Sequence, residues 1–345
     1  MQNDERHSRH LLFAKIGPAG QQAIANARIL LAGCGALGSR SAELLARAGA
    51  GTGKRGLIRI VDRDTVDVSN LQRQALFTTA DADAARPKAR AAELHLQLID
   101  PGVRLEPHVR EISPDNILEF FEGIDLVVDG TDNFATRFLL NDASIATKTP
   151  WIYGGAIGSH GIVAAFQPGR GACFRCLLGS LPALGVSETC DTSGIITPLP
   201  ALVASIQTAM AMRFFTEGDL PRGIMQIDLW REPISWTHGF AESRPDPDCR
   251  SCGTSELPAL NDTSRELITL CGRNSVQILS SNPVSLPAIE KAMRPFASSV
   301  HLHPQSVTAR IPEGALTVFD DGRIIVEGTL DPHQASTLVA RYLGG

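Results

Sequence analysis

Residues 27–49 combine an apolar run, a glycine-rich turn and a helical pattern, in the sequence ARILLAGCGALGSRSAELLARAG. Residues 29–32 form a short apolar run of the kind found in a central parallel strand. The glycines that follow, Gly33, Gly35 and Gly38, have the spacing G-x-G-x-x-G. Glycines let the backbone turn sharply and approach a phosphate, and the helix N-terminus presents free N–H groups to that phosphate. The stretch therefore predicts a nucleotide-binding strand–turn–helix unit, with a tight turn that binds no ligand as the alternative.

Length and composition restrict the class of protein. The 345 residues are sufficient for about two domains. The net charge of −5, without any Lys/Arg block, argues against a nucleic-acid-binding surface. No apolar run approaches the ~20 residues that span a bilayer, and the polar start MQNDERHSRH predicts no signal peptide. Seven cysteines in such a chain indicate a reducing cytoplasm, where paired cysteines are more often metal ligands or catalytic groups than disulfides.

A second predicted strand, residues 57–61, ends in the acid Asp62. An acid about 20 residues beyond the glycine motif, at the tip of the second strand, lies where a nucleotide ribose binds. The alternative is an acid that only caps the end of a strand. Up to this point the pattern also fits a nicotinamide-dependent dehydrogenase.

Polar residues after the second strand favour a different reaction. The stretch DRDTVDVSNLQRQALF contains Asn70, Arg73 and Gln74, and Lys88 opens a helical pattern further on. A nicotinamide site does not need both an arginine and a lysine directed at phosphates. Cleavage of a triphosphate does, because negative charge develops on the bridging and departing oxygens. Arginine offers a two-pronged donor and lysine a mobile point charge.

A third predicted strand, residues 124–129, leads into the sequence GTDNFATRFLLND. Asp132 lies in the turn after this strand and faces the same crevice as the glycine turn. Because Mg²⁺ is typically held by one or two carboxylates together with substrate phosphates, Asp132 is the candidate magnesium ligand. Its alternative role is that of an N-cap for the helix that starts near Phe134.

Two C-x-x-C pairs predict a metal site. They are formed by Cys173 with Cys176 and by Cys249 with Cys252. Four thiolates in this arrangement suit a closed tetrahedral Zn²⁺ site, which is structural because no coordination position stays open. The alternatives are redox-active cysteine pairs or unpaired buried thiols.

The motifs SRHLLF, GCGALG, VDRDTVDVSNLQRQ, RPKA and DGTDN, in this order, resemble the ThiF/MoeB/HesA family over roughly residues 5–254. These relatives of the ubiquitin-activating enzymes are adenylyltransferases, a class of nucleotidyltransferase. They adenylate the C-terminal glycine of a small ubiquitin-like sulfur-carrier protein. The resemblance therefore implies ATP with Mg²⁺ as substrate and a structural Zn²⁺. It also implies a carrier ending in Gly-Gly as partner, with a cysteine desulfurase or another protein as sulfur donor.

The resemblance also assigns residue roles within the ATP site. It implies that Asp62 holds the ribose, that Asn70, Arg73 and Lys88 bind the phosphates, and that Asp132 binds magnesium. The NLQRQ string is the most diagnostic of the shared motifs. One departure from the family pattern is a longer glycine-rich loop before Asp62.

The N-terminal arginines acquire a role only from the resemblance. From the residues alone, Arg6 and Arg9 are solvated surface charges. Arg9 matches the second arginine of the family's N-terminal R-x-x-R motif, which reaches into the ATP site of the partner subunit. The resemblance therefore implies a homodimer.

Two further cysteines receive different interpretations. Cys190 lies in a loop rich in proline, glycine and serine, residues 179–200. In the thiamine branch of the family, the cysteine at this T-C position is implicated in sulfur transfer. The alternative is a loop cysteine without chemistry, since the molybdopterin branch adenylates without one. Cys34, in the glycine turn, is interpreted as a small packing residue.

We predict an α/β fold, with a doubly wound Rossmann-like sheet whose C-terminal half binds zinc, followed by a small C-terminal α/β domain. The predicted adenylation domain spans residues 1–254, residues 255–264 form a linker, and residues 265–345 form the small domain, to which no role is assigned. Cys271 begins a stretch resembling a rhodanese loop, but it falls too early in this domain. The terminal Gly344 and Gly345 are interpreted as a frayed end.

The predicted function is adenylation of a ThiS-like carrier for thiamine biosynthesis. The carrier's C-terminal carboxylate attacks the α-phosphate of ATP and pyrophosphate leaves. No general base is needed because a carboxylate is ionised at pH 7. The alternatives are adenylation of a MoaD-like carrier in molybdopterin synthesis, a NAD-dependent oxidoreductase, and a non-catalytic module that binds a carrier.

Overall fold

The computed structural model describes residues 5–178, 194–231, 234–239, 245–262, 269–270, 275–279 and 284–343. The chain forms two compact units. The first takes the described residues within 1–64, 68–79 and 88–263, and the second those within 65–67, 80–87 and 264–345.

The first unit is built on an eight-stranded sheet with the order β3-β2-β1-β4-β5-β6-β7-β8. Its strands are β1 (Arg28–Ala32), β2 (Leu57–Val61), β3 (Leu105–His108), β4 (Leu126–Asp129), β5 (Trp151–Ile157), β6 (His160–Phe166), β7 (Ile224–Asp228) and β8 (Ser235–Gly239). Neighbouring strands from β3 to β5 are parallel, and those from β5 to β8 are antiparallel. The order 3-2-1-4-5 is that of a doubly wound Rossmann sheet, so the predicted fold class is confirmed.

The position of a ligand site follows from this order. The strand order reverses between β1 and β4, which pair in parallel from Ile29 opposite Leu126 to Ala32 opposite Asp129. In open α/β sheets, ligands bind at such a reversal, outside the carboxyl ends of the strands. The turns that follow Ala32 and Asp129 therefore border the expected ligand crevice.

Helices cover the sheet of the first unit. Those in the described residues up to 231 are α1 (Ser8–Leu12), α2 (Gly17–Ala25), α3 (Ala36–Arg47), α5 (Lys88–Ile99), α6 (Ile117–Phe121), α7 (Phe134–Thr147), α8 (Phe174–Leu178) and α9 (Pro198–Glu217). The short helix α4 (Thr79–Asp83) belongs, except for Thr79, to the second unit. The long helix α9 ends where Gly218 adopts a left-handed φ of 76°. Among the described residues, no helix is both long and apolar enough to cross a bilayer.

The core of the first unit explains why its central strands are so apolar. All five residues of β2 and the last four of β1 are buried, because these strands have neighbours on both sides and helices above and below. Phe138, Trp151 and Phe174 form an aromatic cluster, with the Trp151 and Phe174 ring centres 5.4 Å apart. This cluster lies under α7, the helix that follows β4.

The second unit contains a six-stranded sheet with the order β11-β12-β13-β14-β10-β9. Its strands are β9 (Thr269–Leu270), β10 (Ser275–Leu279), β11 (Ser299–His303), β12 (Ser306–Ile311), β13 (Gly314–Phe319) and β14 (Arg323–Glu327). All the neighbouring pairs are antiparallel. The helices α10 (Leu286–Met293) and α11 (Pro332–Leu343) complete a core that includes Val307, Leu316, Val326 and Leu338.

Candidate active site

The glycine turn after β1 is held closely against the turn after β4. Gly33 has a left-handed φ of 85°, and a Cβ there would lie 2.8 Å from the carbonyl oxygen of Gly130. A Cβ on Gly38 would lie 2.0 Å from the carbonyl oxygen of Gly33, because the first turn of α3 packs on the loop. Packing within the protein therefore requires glycine at both positions.

Gly35 differs from the other two glycines of the motif. It is the N-cap of α3, and no side chain caps this helix. The nearest atoms to a Cβ at Gly35 are the Gln74 Nε2 and the Gly130 oxygen, both at 3.9 Å. Among the residues that the structure describes, nothing excludes a side chain at Gly35, whereas a phosphate bound at the helix N-terminus would exclude one. The geometry fits an anionic ligand in front of α3.

Asp62, at the end of β2, fixes the backbone of this turn. One carboxylate oxygen accepts a hydrogen bond from the Cys34 N–H at 2.6 Å, and the other accepts one from the Asp64 N–H at 2.8 Å. Burial raises the pKa of Asp62; nearby Lys88 opposes this rise and Asp64 adds to it. Asp62 thus stabilises the strand end, and a carboxylate oxygen has a second lone pair with which to accept a hydroxyl.

Lys88 is the first residue of α5 and is 1% exposed. The ammonium nitrogen of Lys88 lies 3.3 Å from a carboxylate oxygen of Asp64. The backbone N–H of Lys88 donates a hydrogen bond to the Asp64 carbonyl oxygen at 2.8 Å. A buried lysine is stable only with a counter-charge nearby. The structure therefore places a cation and two carboxylates, Asp62 and Asp64, beside the glycine turn.

The segment 68–77 carries the other predicted phosphate-binding residues. Asn70 ends a short 3₁₀ turn and is buried. Arg73 donates from its guanidinium to the Ser69 carbonyl at 2.9 Å. Gln74 is 3% exposed, and its side-chain oxygen has no hydrogen-bond partner in the part of the chain that the structure describes. A buried polar atom of this kind points to a ligand or ordered water.

Asp132 lies in the turn after β4 and is exposed. Asn133, and not Asp132, caps α7, because its side-chain oxygen accepts the Thr136 N–H at 2.8 Å. The alternative interpretation of Asp132 as the N-cap is therefore wrong. The Asp132 carboxylate accepts a hydrogen bond from the Asn133 side chain at 3.4 Å.

Sequence reasoning missed an ion pair beneath this turn. Asp129 is completely buried, and its carboxylate lies 3.1 Å from the Arg137 Nε. The other carboxylate oxygen accepts from the Thr131 N–H and hydroxyl at 2.9 and 2.6 Å. Arg137 also donates to the carbonyls of Thr131 and Gly154 at 2.6 and 3.0 Å. An acid that ends an apolar strand, with an arginine in the next helix, is the signal that could have predicted it.

The four predicted metal ligands lie together. Their sulfur atoms are all within 4.8 Å of one another, and the distances from Cys173 to Cys249 and from Cys176 to Cys252 are 3.7 and 3.3 Å. Tetrahedral Zn–S bonds of about 2.3 Å place sulfurs roughly 3.8 Å apart. The residues therefore fit a four-coordinate metal ion.

Polar groups on α7 organise the cysteine cluster. The buried Asp142 accepts from the Ser251 hydroxyl at 2.5 Å and from the Ala259 N–H at 2.8 Å. Arg175, between the first two cysteines, donates to the Ser251 hydroxyl at 2.7 Å. Through Ser251, these bonds connect the segments of both cysteine pairs to Asp142 of α7.

Comparison with known proteins identifies the family. Residues 7–251 match the ThiF family. The chain belongs to the ThiF family. The sulfur carrier protein ThiS adenylyltransferase of Bacillus subtilis is 38% identical to it over 342 residues, which cover 98% of this chain and 99% of that protein. The sulfur carrier protein adenylyltransferase of Thermus thermophilus is 36% identical over 276 residues, 78% and 96% of the two chains.

The fold also matches solved structures. The crystal structure of E. coli MccB with ATP has a TM-score of 0.59 to this ThiF-family chain. The match covers 73% of this chain and 75% of MccB, at 20% sequence identity. At this identity the similarity concerns the fold.

The environment of Arg9 differs from that of the other predicted ATP-site residues in this ThiF-family chain. It is exposed on α1, and its side chain makes no hydrogen bond or ion pair with any described residue. Leu12 and Phe13, which follow it, are 74% and 58% exposed. Within one chain, the arginine and its apolar neighbours project into solvent.

Of the three cysteines outside the four-cysteine cluster, the structure describes Cys34. Cys34 is completely buried, and burial, together with the nearby Asp62 carboxylate, raises the pKa of its thiol far above the usual range. Such a thiol is inert, in agreement with the predicted packing role. Cys190 and Cys271 lie outside the described residues.

Proposed function

We propose that this protein adenylates the C-terminal glycine carboxylate of a ThiS-like sulfur-carrier protein in thiamine biosynthesis, with ATP and Mg²⁺. The observation that carries the proposal is the alignment with the B. subtilis ThiS adenylyltransferase, which extends over nearly the whole of both chains. The anion-compatible turn at Gly35, with Lys88 and Gln74 buried nearby, supports it independently.

Each predicted ATP-site residue has a proposed role. The N–H groups around Gly35 and at the start of α3 bind phosphate, and Asp62 accepts from the ribose hydroxyls. Asn70, Arg73 and Lys88 bind the triphosphate, and the unpartnered oxygen of Gln74 accepts from a ligand or water in the same crevice. Gly33 and Gly38 keep the turn compact.

The proposed reaction needs charge stabilisation rather than proton transfer. An ionised carrier carboxylate attacks the α-phosphorus of ATP, a carboxyl–phosphate bond forms, and the bond to the bridging oxygen breaks as pyrophosphate leaves. Lys88 and Arg73 stabilise the charge that accumulates on the phosphates. The carboxylate of Asp132 would hold Mg²⁺, which neutralises phosphate charge when bound.

The four-cysteine site is proposed to hold Zn²⁺ in a structural role. Cys173, Cys176, Cys249 and Cys252 fill all four tetrahedral positions, so none is left for substrate. The Asp142 and Arg175 hydrogen bonds orient the segments that carry these ligands.

Assembly and compartment are part of the proposal. Arg9 completes the ATP site of a second subunit in a homodimer, and the exposed Leu12 and Phe13 beside it become buried there. The enzyme works in the cytoplasm, where a cysteine desulfurase or another donor supplies sulfur to the acyl-adenylate. Cys190 takes part in that transfer, or the donor acts without it.

ATP–pyrophosphate exchange tests the function directly. The assay is run with ThiS-like and MoaD-like carriers that end in Gly-Gly, and without a carrier. Exchange that requires the ThiS-like carrier supports the proposal, and exchange only with the MoaD-like carrier moves the enzyme to molybdopterin synthesis. Binding of ATP and a carrier without exchange would favour a non-catalytic module. Binding of NAD but not ATP would favour an oxidoreductase.

A matched pair of variants tests the metal role of Asp132. Asp132→Ala is expected to abolish exchange while zinc content and the unfolding temperature stay at wild-type values. Asn133→Ala removes the α7 cap next to it, and is expected to cost about 1 kcal/mol of stability while retaining exchange. Full activity of Asp132→Ala would remove the assignment.

A further inference from the structure

The segment that carries the phosphate-binding residues is closed at its two ends. It runs from Thr65 to Pro87, which form an isolated antiparallel bridge, and the Val66 N–H donates to the Arg86 carbonyl at 2.8 Å. Immediately outside this bridge lie Asp64 and Lys88, the charged pair beside the glycine turn. The closed ends are therefore directly continuous along the chain with that pair and with residues 68–79.

One of the two closed ends, the segment before Pro87, includes the end of helix α4, which has an unfavourable backbone conformation. The last turn of α4 is closed by the Ala85 N–H donating to the Ala82 carbonyl, at 3.0 Å, and by the Arg86 N–H donating to the Asp81 carbonyl, at 2.9 Å. Ala85 has a left-handed φ of 46°, which glycine adopts readily and alanine does not. The conformation of Ala85 therefore carries a free-energy cost, which an additional contact at this helix end can offset.

His303 supplies that contact. Its Nε2 lies 2.7 Å from the Ala84 carbonyl oxygen, to which it donates a hydrogen bond. His303 is the last residue of β11, where it pairs with Ser306 across a hairpin. Residues 65–67 and 80–87 belong to the same compact unit as His303, so this unit contains both ends of the closure.

We propose that His303 is a positioning residue for ATP binding: by holding the Ala84 carbonyl, it fixes the ends of the segment that carries Asn70, Arg73 and Gln74. This inference rests on the proposed ATP-dependent function. It gives the C-terminal unit a role, namely to keep the phosphate-binding segment in the conformation that receives the triphosphate. The two contacts that join Asp64 and Lys88, through backbone and side chain, directly adjoin the same closure.

Kinetics of the full-length enzyme with its carrier test the proposal. His303→Ala is expected to raise the KM for ATP about tenfold, the equivalent of one lost hydrogen bond, with kcat changed less than about twofold. His303→Gln keeps an N–H donor at similar reach and is expected to restore most of the affinity. His301→Ala, on the same strand, is the matched control and should leave both constants unchanged.

Amide hydrogen exchange of the free enzyme gives a readout that does not depend on activity. His303→Ala is expected to speed exchange in residues 68–79, while exchange in β1 and β4 stays at the wild-type rate. An unchanged KM with unchanged exchange in residues 68–79 would overturn the positioning role. If the wild-type enzyme shows no ATP–pyrophosphate exchange, the proposed function fails, and hydrogen exchange alone then decides the role of His303.

Discussion

The glycines of the G-x-G-x-x-G motif have different structural roles in this chain. Gly38 is required by packing, since a Cβ there would lie 2.0 Å from a backbone oxygen. Gly35 has no atom closer than 3.9 Å to such a Cβ. We therefore expect Gly35→Ala to fold with a near-normal unfolding temperature and to lose ATP binding, because the methyl group occupies ligand space. We expect Gly38→Ala to fail to fold stably.

Calorimetric titration with ATP and thermal unfolding of the two variants separate these effects. The two measurements are needed together, because a misfolded variant loses ATP binding whether or not the substituted residue contacts ATP. Normal ATP affinity in Gly35→Ala would show that no phosphate approaches this turn, and the alternative of a tight turn without a ligand would then hold.

The buried pair of Asp129 and Arg137 predicts a pH-dependent penalty. Burial raises the pKa of Asp129, and Arg137 opposes that rise. Arg137→Leu leaves the carboxylate without its counter-charge, which we expect to destabilise the first unit by about 3–5 kcal/mol at neutral pH. A raised pKa in the folded state means that stability is lost as the pH rises from the unfolded value through the folded pKa. The penalty should therefore shrink as the pH is lowered toward 4–5.

Urea unfolding at several pH values measures this penalty. The control is the double variant Asp129→Asn with Arg137→Leu, which carries neither charge and should show no pH dependence from this site. A penalty for Arg137→Leu that is the same at acidic and neutral pH would mean that lost packing, and not the unpaired carboxylate, is responsible.

At the residue scale, the sequence could indicate the chemical role of a side chain but not its hydrogen-bond or ion-pair partners. Asp62 follows an apolar strand at the expected distance from the glycines, and the structure places it against the turn that contains them. An acid at the end of β4 and an arginine in the next helix could suggest the pair of Asp129 and Arg137, but whether the two side chains meet depends on which face of α7 packs on β4. Likewise, the sequence suggested Asp132 as an alternative N-cap of α7, and one hydrogen bond from the Thr136 N–H shows that its neighbour Asn133 has this role.

Among the elements, α7 joins the two sites, since its N-terminus follows Asp132, and its residues Asn141 and Asp142 accept hydrogen bonds from Phe174 and Ser251 in the two cysteine segments. Removal of metal should therefore affect more than the cluster. We expect one zinc per chain, and a zinc-selective chelator should lower the unfolding temperature of the first unit by roughly 10 °C. Metal analysis and scanning calorimetry measure both quantities.

A pair of cysteine variants serves as the control for metal removal. Cys252→Ser should lose zinc and reproduce the effect of the chelator, whereas Cys34→Ala, outside the cluster, should keep a full complement. Absence of zinc from purified protein that is fully folded, or an unfolding temperature insensitive to the chelator, would contradict a structural metal site.

Strands were predictable where burial is complete and not where it is partial. The apolar runs of β1, β2 and β4 are central strands with neighbours on both sides. β3 reads LEPH and was not predicted, because it contains Pro107 and no apolar alternation. Among the described strands it lies at the edge of the sheet and pairs with β2, and an edge position tolerates a proline, which lacks the N–H donor.

For the whole molecule, the division into two units follows from length and from two separate apolar patterns, each with its own core. The membership of residues 65–67 and 80–87 in the second unit could not be predicted, because it depends on contacts between residues far apart in sequence. The bond from His303 to Ala84 spans 219 residues and has no local pattern. The predicted limits of the linker, residues 255–264, stay a prediction.

The proposed assembly makes a quantitative prediction at this scale. If Arg9 acts in the ATP site of the partner subunit, Arg9→Ala and Arg73→Ala should each be inactive alone. In a mixed dimer, the site with an intact Arg73 receives an intact Arg9 from the other subunit. Random mixing makes half of the dimers mixed, each with one complete site of two, so about a quarter of wild-type exchange activity should return.

The recovery is measured after the differently tagged variants are unfolded together, refolded and purified through both tags. Doubly tagged dimers are then expected to have about half of the wild-type exchange rate, since one of their two sites is complete. Inactive mixed dimers would place Arg9 in its own subunit's site or outside catalysis altogether. Its exposure beside Leu12 and Phe13 would then need another explanation, whereas recovery would account for all three exposed side chains with one interface.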